Sequence, residues 1–423
     1  MTQFHATFVL PLIAGLVLAA GPVAAQTAEP TPTAEQLFDG QVLQRLDLRL
    51  HSADWTKLKQ NFLENEYYPA DLTWNGQTVR NVGIRSRGHG SRSGAKPGLR
   101  VDFDRYASNQ RFLGLRSLVL DNLTQDSSGI HETISMQLMA KMGIPAPREA
   151  HTRLYVNDEY AGLYVIVESV DKGLLARVFG IVNEDTQNDG YLFEFNWLDE
   201  WHLDYLGDEL RPYKERFDTK TKESKSDEEK YRPIERLIRL INDTREDRLK
   251  DTIGSLFDLA GFMRYVATEN FLAESDGILG AWGVNNFYLY RLENQSQHVL
   301  IAWDADVTFW GPTFPTNDGH NANVLMNKLM RVQEYHDLYY TELRRAMELA
   351  AEPVGESTWL DTEIRRQFDL IDAAMREDPF KPYDNGRFDG SRNAMMNYTK
   401  NRLAFMRCEL ERGPRSGCES VVQ

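Results

Sequence analysis

Asp276, Asn286, Asp304 and Asp306 are the side chains whose types and spacing can do chemistry. Three of them bracket the stretch VNNFYLYRLENQSQHVLIAWDADVTFW, residues 284–310, where two apolar arms carry an Asn pair at one open end and two Asp at the other. A hairpin turning near Asn294–Ser296 pairs its arms so that partner numbers sum to about 590, which sets Asn286 opposite Asp304 with Cβ atoms roughly 5 Å apart. An amide and a carboxylate meeting there offer hard oxygen donors to a divalent cation. Tyr288, Tyr290, Ile301 and Trp303 make the arms apolar, so the donors sit at the mouth of a buried sheet.

Asp276 precedes Asn286 by ten residues, after the helical pattern through NFLAES, and Gly277 and Gly280 free the loop behind it. The order is Asp, loop, Asn, strand, turn, strand, Asp. Protein kinases use that order for the carboxylate that accepts the substrate hydroxyl proton and for the two Mg2+ ligands. An opposite charge lies earlier, in GIRSRGHGSRSGAKPGLRVDFDRY, residues 83–106, where Arg85, Arg87, Arg92, Lys96 and Arg100 surround a Gly/Ser loop between two strand-like runs. Backbone N–H groups and cations of such a loop can cradle phosphate. A solvated hairpin is the plain alternative for that segment.

The elements that must position these groups follow from periodicity. Alternating runs VLQRLDLRL, DLTWNGQTVRNVGIRSRG with a turn at Asn75-Gly76, and LRVDFDRY make the first part mainly sheet. Ile130, Ile134, Leu138 and Met142 recur every four residues, with Asp126 or Ser127 as cap and Gly143 and Pro145 as stop, and predict one amphipathic helix. A second hairpin turns at Asn157-Asp158-Glu159. The charged stretch DTKTKESKSDEEKYRP is expected as a solvated loop, and helical patterns dominate from there, including 325–350, 358–376 and 389–411.

With 423 residues the chain is long enough for two lobes. A net charge of −15 argues against nucleic acid as a partner and favours metal ions or small cationic groups. The apolar run from Phe8 to Ala20, followed by Val23 and Ala25, reads as a signal peptide over 1–25, with no Lys or Arg before it; an N-terminal anchor is the alternative. No other segment can span a bilayer. A Pro- and Thr-rich linker is expected over 26–40. The two cysteines, Cys408 and Cys418, predict a disulfide stapling the tail in an exported protein, periplasmic or extracellular in a bacterium.

The chain resembles the CotH kinase family, secreted atypical protein kinases named for spore coat protein H. The resemblance rests on IRSRGHGS, KPGLRVDF, FLGLRSLVLDNLTQDSSGIHETISMQLMAKMGIPAP, RLYVNDEYAGLYVIVESVDKGLL, NNFYLYR, AWDADVTFWG and NVLMNKLM, in order over about residues 45–410. It implies an α+β, bilobal, kinase-like fold, with a mainly β lobe over 41–172, a mainly α lobe over 173–410 and a tail over 411–423. It implies transfer of phosphate from ATP to Ser or Thr of protein substrates with Mg2+, or alternatively Mn2+ or Ca2+. Asp276 would be the catalytic carboxylate; Asn286, Asp304 and Asp306 the metal ligands; Arg85, Arg87 and either Lys96 or Arg100 the phosphate contacts; and Glu168 the acid that orients that cation. The chain departs from relatives at His131, where Arg is frequent, and at Pro97-Gly98, which interrupts the strand after Lys96. Both departures bear on nucleotide affinity.

Plainer roles compete for several residues. Asn285 can cap a strand end, Asp121, Asn122 and Asp126 can cap loops, Tyr155, Tyr164, Tyr288 and Trp303 can be core, and Glu168 can sit in a buried ion pair. The competing function is a non-catalytic Ca2+-binding protein of the cell envelope or coat, although structural Ca2+ wants six to eight oxygens and no phosphate cradle. A two-metal phosphohydrolase is disfavoured because none of the nine His flanks Asp276, Asn286 or Asp304.

Overall fold

The computed structural model describes residues 1–2, 32–182 and 185–422. The expected leader and the first part of the expected linker lie outside the described residues. Within the remaining linker stretch, Ala34–Leu37 is already helical, capped by Thr33, and Leu37 and Phe38 are buried. Ordered structure therefore starts before Gln41.

The fold is mixed α+β. Its first part is a closed barrel of seven strands: β1 (Gln44–Leu50), β2 (Tyr68–Trp74), β3 (Gln77–Arg87), β4 (Gly98–Asp102), β5 (Ser117–Asp121), β6 (Glu149–Val156) and β7 (Glu159–Glu168). Spatial order is β1-β2-β3-β4-β5-β7-β6, and parallel pairing of β1 with β6 closes it. The sequence pattern predicts the hairpins and leaves closure unread, because the β1–β6 pairing joins segments about a hundred residues apart. Closure removes the unpaired edges of an open sheet. The turns at Asn75-Gly76 and Asn157-Asp158 form as expected, all four residues with positive φ.

Strand β7 shows why barrel and helices pack as one body. Tyr164 and Ile166 point into the barrel core with Leu46, Leu72, Ile84, Leu99 and Leu118. The alternate residues Leu163, Val165 and Val167 join the second core with Ile130, Ile134 and Leu138. A strand buried on both faces needs a continuous apolar run. The helix His131–Lys141 covers that outer face, with Ile130, Ile134, Leu138 and Met142 all buried, and Asp126 accepts from the His131 N–H at 2.9 Å.

The second part is helical but is built on a four-stranded sheet, order Phe217–Thr219, Tyr191–Phe195, Phe287–Arg291, His298–Ala302. Of the stretch expected as a solvated loop, residues 220–226 are loop and turn, but Asp218 and Thr219 end the first of these strands and Asp227 onward begins the helix Asp227–Asp243, which Ser226 and Glu229 cap reciprocally. Helices Leu259–Leu272, Gln333–Ala350, Trp359–Glu377 and Asn385–Arg412 complete it. The predicted Cys408–Cys418 disulfide is present. Among the described residues no helix is long and apolar enough to cross a membrane.

Candidate active site

The hairpin forms, with Phe287 paired to Ala302 and Arg291 to His298, so partner numbers sum to 589. The register is one residue off the expected one, and Asn286 continues the ladder toward Trp303 rather than Asp304. The sheet ends at that pair. Asn286 and Asp304 both take left-handed backbone, φ 58° and 54°, which turns the chain out of the ladder on each arm. The amide and the acids thus meet at one mouth through two backbone bends rather than through cross-strand pairing.

Asp276 lies just past the helix Leu259–Leu272, whose C-cap Ala273 is also left-handed. Asn286 Nδ2 donates to Asp276 Oδ2 at 3.1 Å and to its carbonyl at 3.2 Å, and Asn285 Nδ2 donates to the same Oδ2 at 3.1 Å. Asn285, ranked lower from the sequence, therefore shares the work of orienting Asp276. Gly277 is required for closeness rather than freedom: a Cβ there would lie 2.2 Å from Glu269 Oε1. Glu269 accepts from the Ile278 N–H, and Glu274 Oε1 from the Asp276 N–H at 2.7 Å, so two buried carboxylates brace the loop from behind.

The segment after Asp304 runs beside this loop. Phe309 N donates to Leu272 O at 2.7 Å and Ser275 N to Val307 O at 3.3 Å. From the other side the helix His131–Lys141 holds it: the His131 ring meets the Asp306 carbonyl at 3.1 Å, and Ser135 meets Thr308 at 3.0 Å. His131 thus positions the acidic segment. Further along, buried Arg402 donates to the carbonyls of Asn270 and Phe271 and to those of Pro312 and Phe314, tying the helix before Asp276 to the chain after Asp306.

Asp276, Asn285, Asn286, Asp304 and Asp306 line one cleft of about 740 Å³, together with Arg85, Arg87 and the loop Gly88–Arg92. Arg87 stacks over Trp303 at 4.8 Å and reaches Glu194 at 3.5 Å. Arg85 is held by Tyr67 and Asn65 at 3.1 Å each. Asn122, which sequence reasoning treated as a loop cap, pins the Gly loop: its Nδ2 donates to the carbonyls of Ser91 at 2.9 Å and Lys96 at 2.8 Å. Asp121 and Asp126 accept local N–H groups, as capping predicts.

Three expected phosphate-site residues are elsewhere. Lys96 is fully buried away from the cleft, bonded to Asp378 and to the Leu163 carbonyl, both at 2.7 Å, because Pro97-Gly98 starts β4 only after it and leaves Lys96 facing the helix end at Asp378. Glu168 pairs with Arg148 at 2.8 Å and Arg177 at 2.6 Å, and so orients neither Lys96 nor Arg100. Arg100 pairs with Asp102 at 2.9 Å and lines an adjoining cavity of about 620 Å³. Tyr164, Tyr288 and Trp303 are largely core, and His89 is exposed.

Burial pushes the Asp304 carboxyl up to about 6, with Arg87 opposing and Asp121 and Asp276 adding to the rise. Burial raises Asp306, then the charge of Asp304; burial also raises Asp276, against the two Asn amides. Among the described residues no three acidic, His or Cys side chains are grouped to hold a metal by themselves. Two carboxylates and an amide oxygen fit a cation that takes its other oxygens from water and phosphate, as Mg2+ commonly does. With its nitrogen bonded to Asp276, Asn286 has its Oδ1 available to such an ion, and buried Glu274 Oε2 has no hydrogen-bond partner beside it.

Barrel, helical part and cleft define a mixed α+β protein with a charged cleft. The family model described as CotH kinase protein matches residues 84–406, and the chain belongs to that family. It is similar to the inner spore coat protein H of Bacillus subtilis, 23% identical over 372 residues, covering 86% of this chain and 96% of that protein. Among solved structures, a Helicobacter pylori proinflammatory kinase, CtkA, aligns with TM-score 0.28 and 9% identity over 74% of this chain and 95% of that one, too loosely to transfer any residue or activity.

Proposed function

We propose that the protein is an exported, bilobal atypical protein kinase that transfers the γ-phosphate of ATP to Ser or Thr of a protein substrate. One observation carries this: Asp276, doubly held by Asn285 and Asn286, shares a cleft with Asp304, Asp306, Arg85, Arg87 and a Gly-rich loop. The base occupies the adjoining cavity beside Val119, Val170 and Tyr288, and Arg87, which lines both cavities, meets the phosphates. Asp304, Asp306 and the Asn286 amide oxygen would hold Mg2+, which would screen charge on the phosphates. Asp276 accepts the acceptor hydroxyl proton as the new O–P bond forms and the β–γ bridge bond breaks, releasing ADP. Export is supported by the leader-like N-terminus and by the disulfide.

The test is nucleotide- and metal-dependent stabilisation followed by transfer. ATP with Mg2+ at about 100 times its dissociation constant should stabilise the wild type by about 2.7 kcal/mol and Asp304→Ala by far less, with 32P transfer lost in Asp276→Asn. Stabilisation by Ca2+ alone, with none from nucleotide, would instead support the binding-protein alternative.

A further inference from the structure

The cleft mouth carries an apolar rim that the chemistry above does not use. Trp197, Leu198 and Trp282 line the same cleft as Asp276 and are 36%, 48% and 50% exposed. They come from two loops. Trp197 and Leu198 follow the strand Tyr191–Phe195, and Trp282 sits in the loop between Asp276 and Asn285. The indole N–H of Trp197 donates to the Trp282 carbonyl at 2.9 Å, which locks the loops together. The Trp282 loop is closed on itself by Ala281 N to Ser275 O at 3.0 Å and Asn285 N to Gly277 O at 3.3 Å. A contiguous exposed apolar patch at the mouth of a cleft marks a place where a ligand or partner docks.

We infer that this rim binds the acceptor polypeptide, and that the protein selects acceptors with a large apolar side chain two or three residues from the hydroxyl. The inference rests on the kinase reading for the direction of the peptide, but the rim itself is a separate observation. Asn285 touches Asp276 at 3.1 Å, and Trp282 is three residues from Asn285, so its Cα lies within about 11 Å of the Asn285 Cα. An extended peptide advances about 3.3 Å per residue, so a hydroxyl at Asp276 puts its second and third neighbours about 7–10 Å away, on the length scale of the cleft that Asp276 and Trp282 both line.

Other occupants fit less well. The adjoining cavity, where Val119, Val170 and Tyr288 sit among charged side chains, gives the base a separate place next to Arg87 and Trp303. The cleft carries both acidic side chains, such as Glu215 and Asp218, and basic ones, Arg85, Arg87, Arg92 and Lys220, so its charge selects neither sign of neighbour and leaves the apolar rim to discriminate.

The experiment uses the full chain and two fluorescein-labelled peptides with a central Ser, one flanked by Gly alone and one with Leu at the second and third positions on each side. Anisotropy should show the Leu peptide binding roughly tenfold or more tightly, the scale of burying one or two such side chains. That preference should fall to within about twofold in Trp282→Ala and, separately, in Leu198→Ala. Both sites are exposed, and an unchanged melting temperature without ligand will verify folding. A preference kept by both variants overturns the inference, as does a loss of ATP–Mg2+ stabilisation in Trp282→Ala equal to the loss of peptide binding, which would make the indole a base platform. If wild type shows the peptide preference but no nucleotide stabilisation, the rim stands and the kinase reading fails.

Discussion

Asn286 and Asp276 hold one another through a side-chain bond at 3.1 Å and a side-chain to backbone bond at 3.2 Å, across a ten-residue loop. The amide nitrogen fixes the carboxylate, and the amide oxygen on the same side chain is the proposed metal ligand. One residue therefore couples the proposed base to the proposed metal site.

Removing that coupling should be separable from removing the base. Asp276→Asn is expected to cut turnover by roughly 10²–10⁴-fold, the usual scale of general-base loss. Asn285→Ala, which deletes one of the two bonds to Oδ2, should cost less than Asn286→Ala, which also removes a metal oxygen. Initial rates at saturating ATP will check the ranking, and an Asn285 effect equal to that of Asn286 would contradict it.

Lys96 and Arg87 should now behave as opposites. Lys96→Met removes the buried cation and leaves Asp378 with only the backbone N–H groups of Leu163, Phe380 and Lys381, which should destabilise by up to about 3–5 kcal/mol, with part recovered in Lys96→Met/Asp378→Asn. Arg87→Met should cost less urea stability than Lys96→Met, since Glu194 keeps Lys220 as a partner when Arg87 is gone, but should weaken ATP binding about tenfold or more. Chemical denaturation and nucleotide titration will distinguish these outcomes.

Burial pushes the His298 imidazole down to about 4, while its Nδ1–H donates to the Leu256 carbonyl at 2.9 Å. A base whose folded value is depressed is neutral in the fold, and the unfolded chain, near 6.5, binds more protons between those values. Its contribution is complete above about pH 6.5 and is lost as pH falls toward 4. His298→Asn keeps a donor for the carbonyl and does not titrate. From pH 7 to 5, wild type should lose about 2 kcal/mol more stability than the variant; equal losses would refute the assignment. Groups common to both proteins cancel in the comparison.

Reduction of Cys408–Cys418 should reach the site through the tail. Glu409, next to Cys408, accepts from the Thr316 N–H and hydroxyl at 2.8 Å and from the Arg415 N–H at 2.6 Å. Cys408→Ser should lose about 2–3 kcal/mol and speed amide exchange at Thr316 and Phe314 before the barrel opens. Arg402→Met should speed exchange over the same segment with the disulfide intact.

Local chemistry was legible wherever neighbours in sequence decide it. Asn-Gly and Asn-Asp turns, the four-residue stripe of the helix His131–Lys141, the Cys pair and the order Asp276, Asn286, Asp304 all express short-range geometry. Hairpin register was legible to one residue, and the error mattered little, because left-handed bends at Asn286 and Asp304, which no periodicity signals, set where the side chains go.

The residue types alone thus determined which groups could bind a hard cation and where the hairpins of the barrel and the helix His131–Lys141 lie. Tertiary structure decided which cations face that site. Lys96 and Arg87 are both basic residues flanking one loop, yet barrel closure turns one into a buried partner of Asp378 and leaves the other over Trp303 at the cleft. A charge goes where burial can be compensated, and the compensating partner, here 282 residues away in sequence, exists only once the chain has folded.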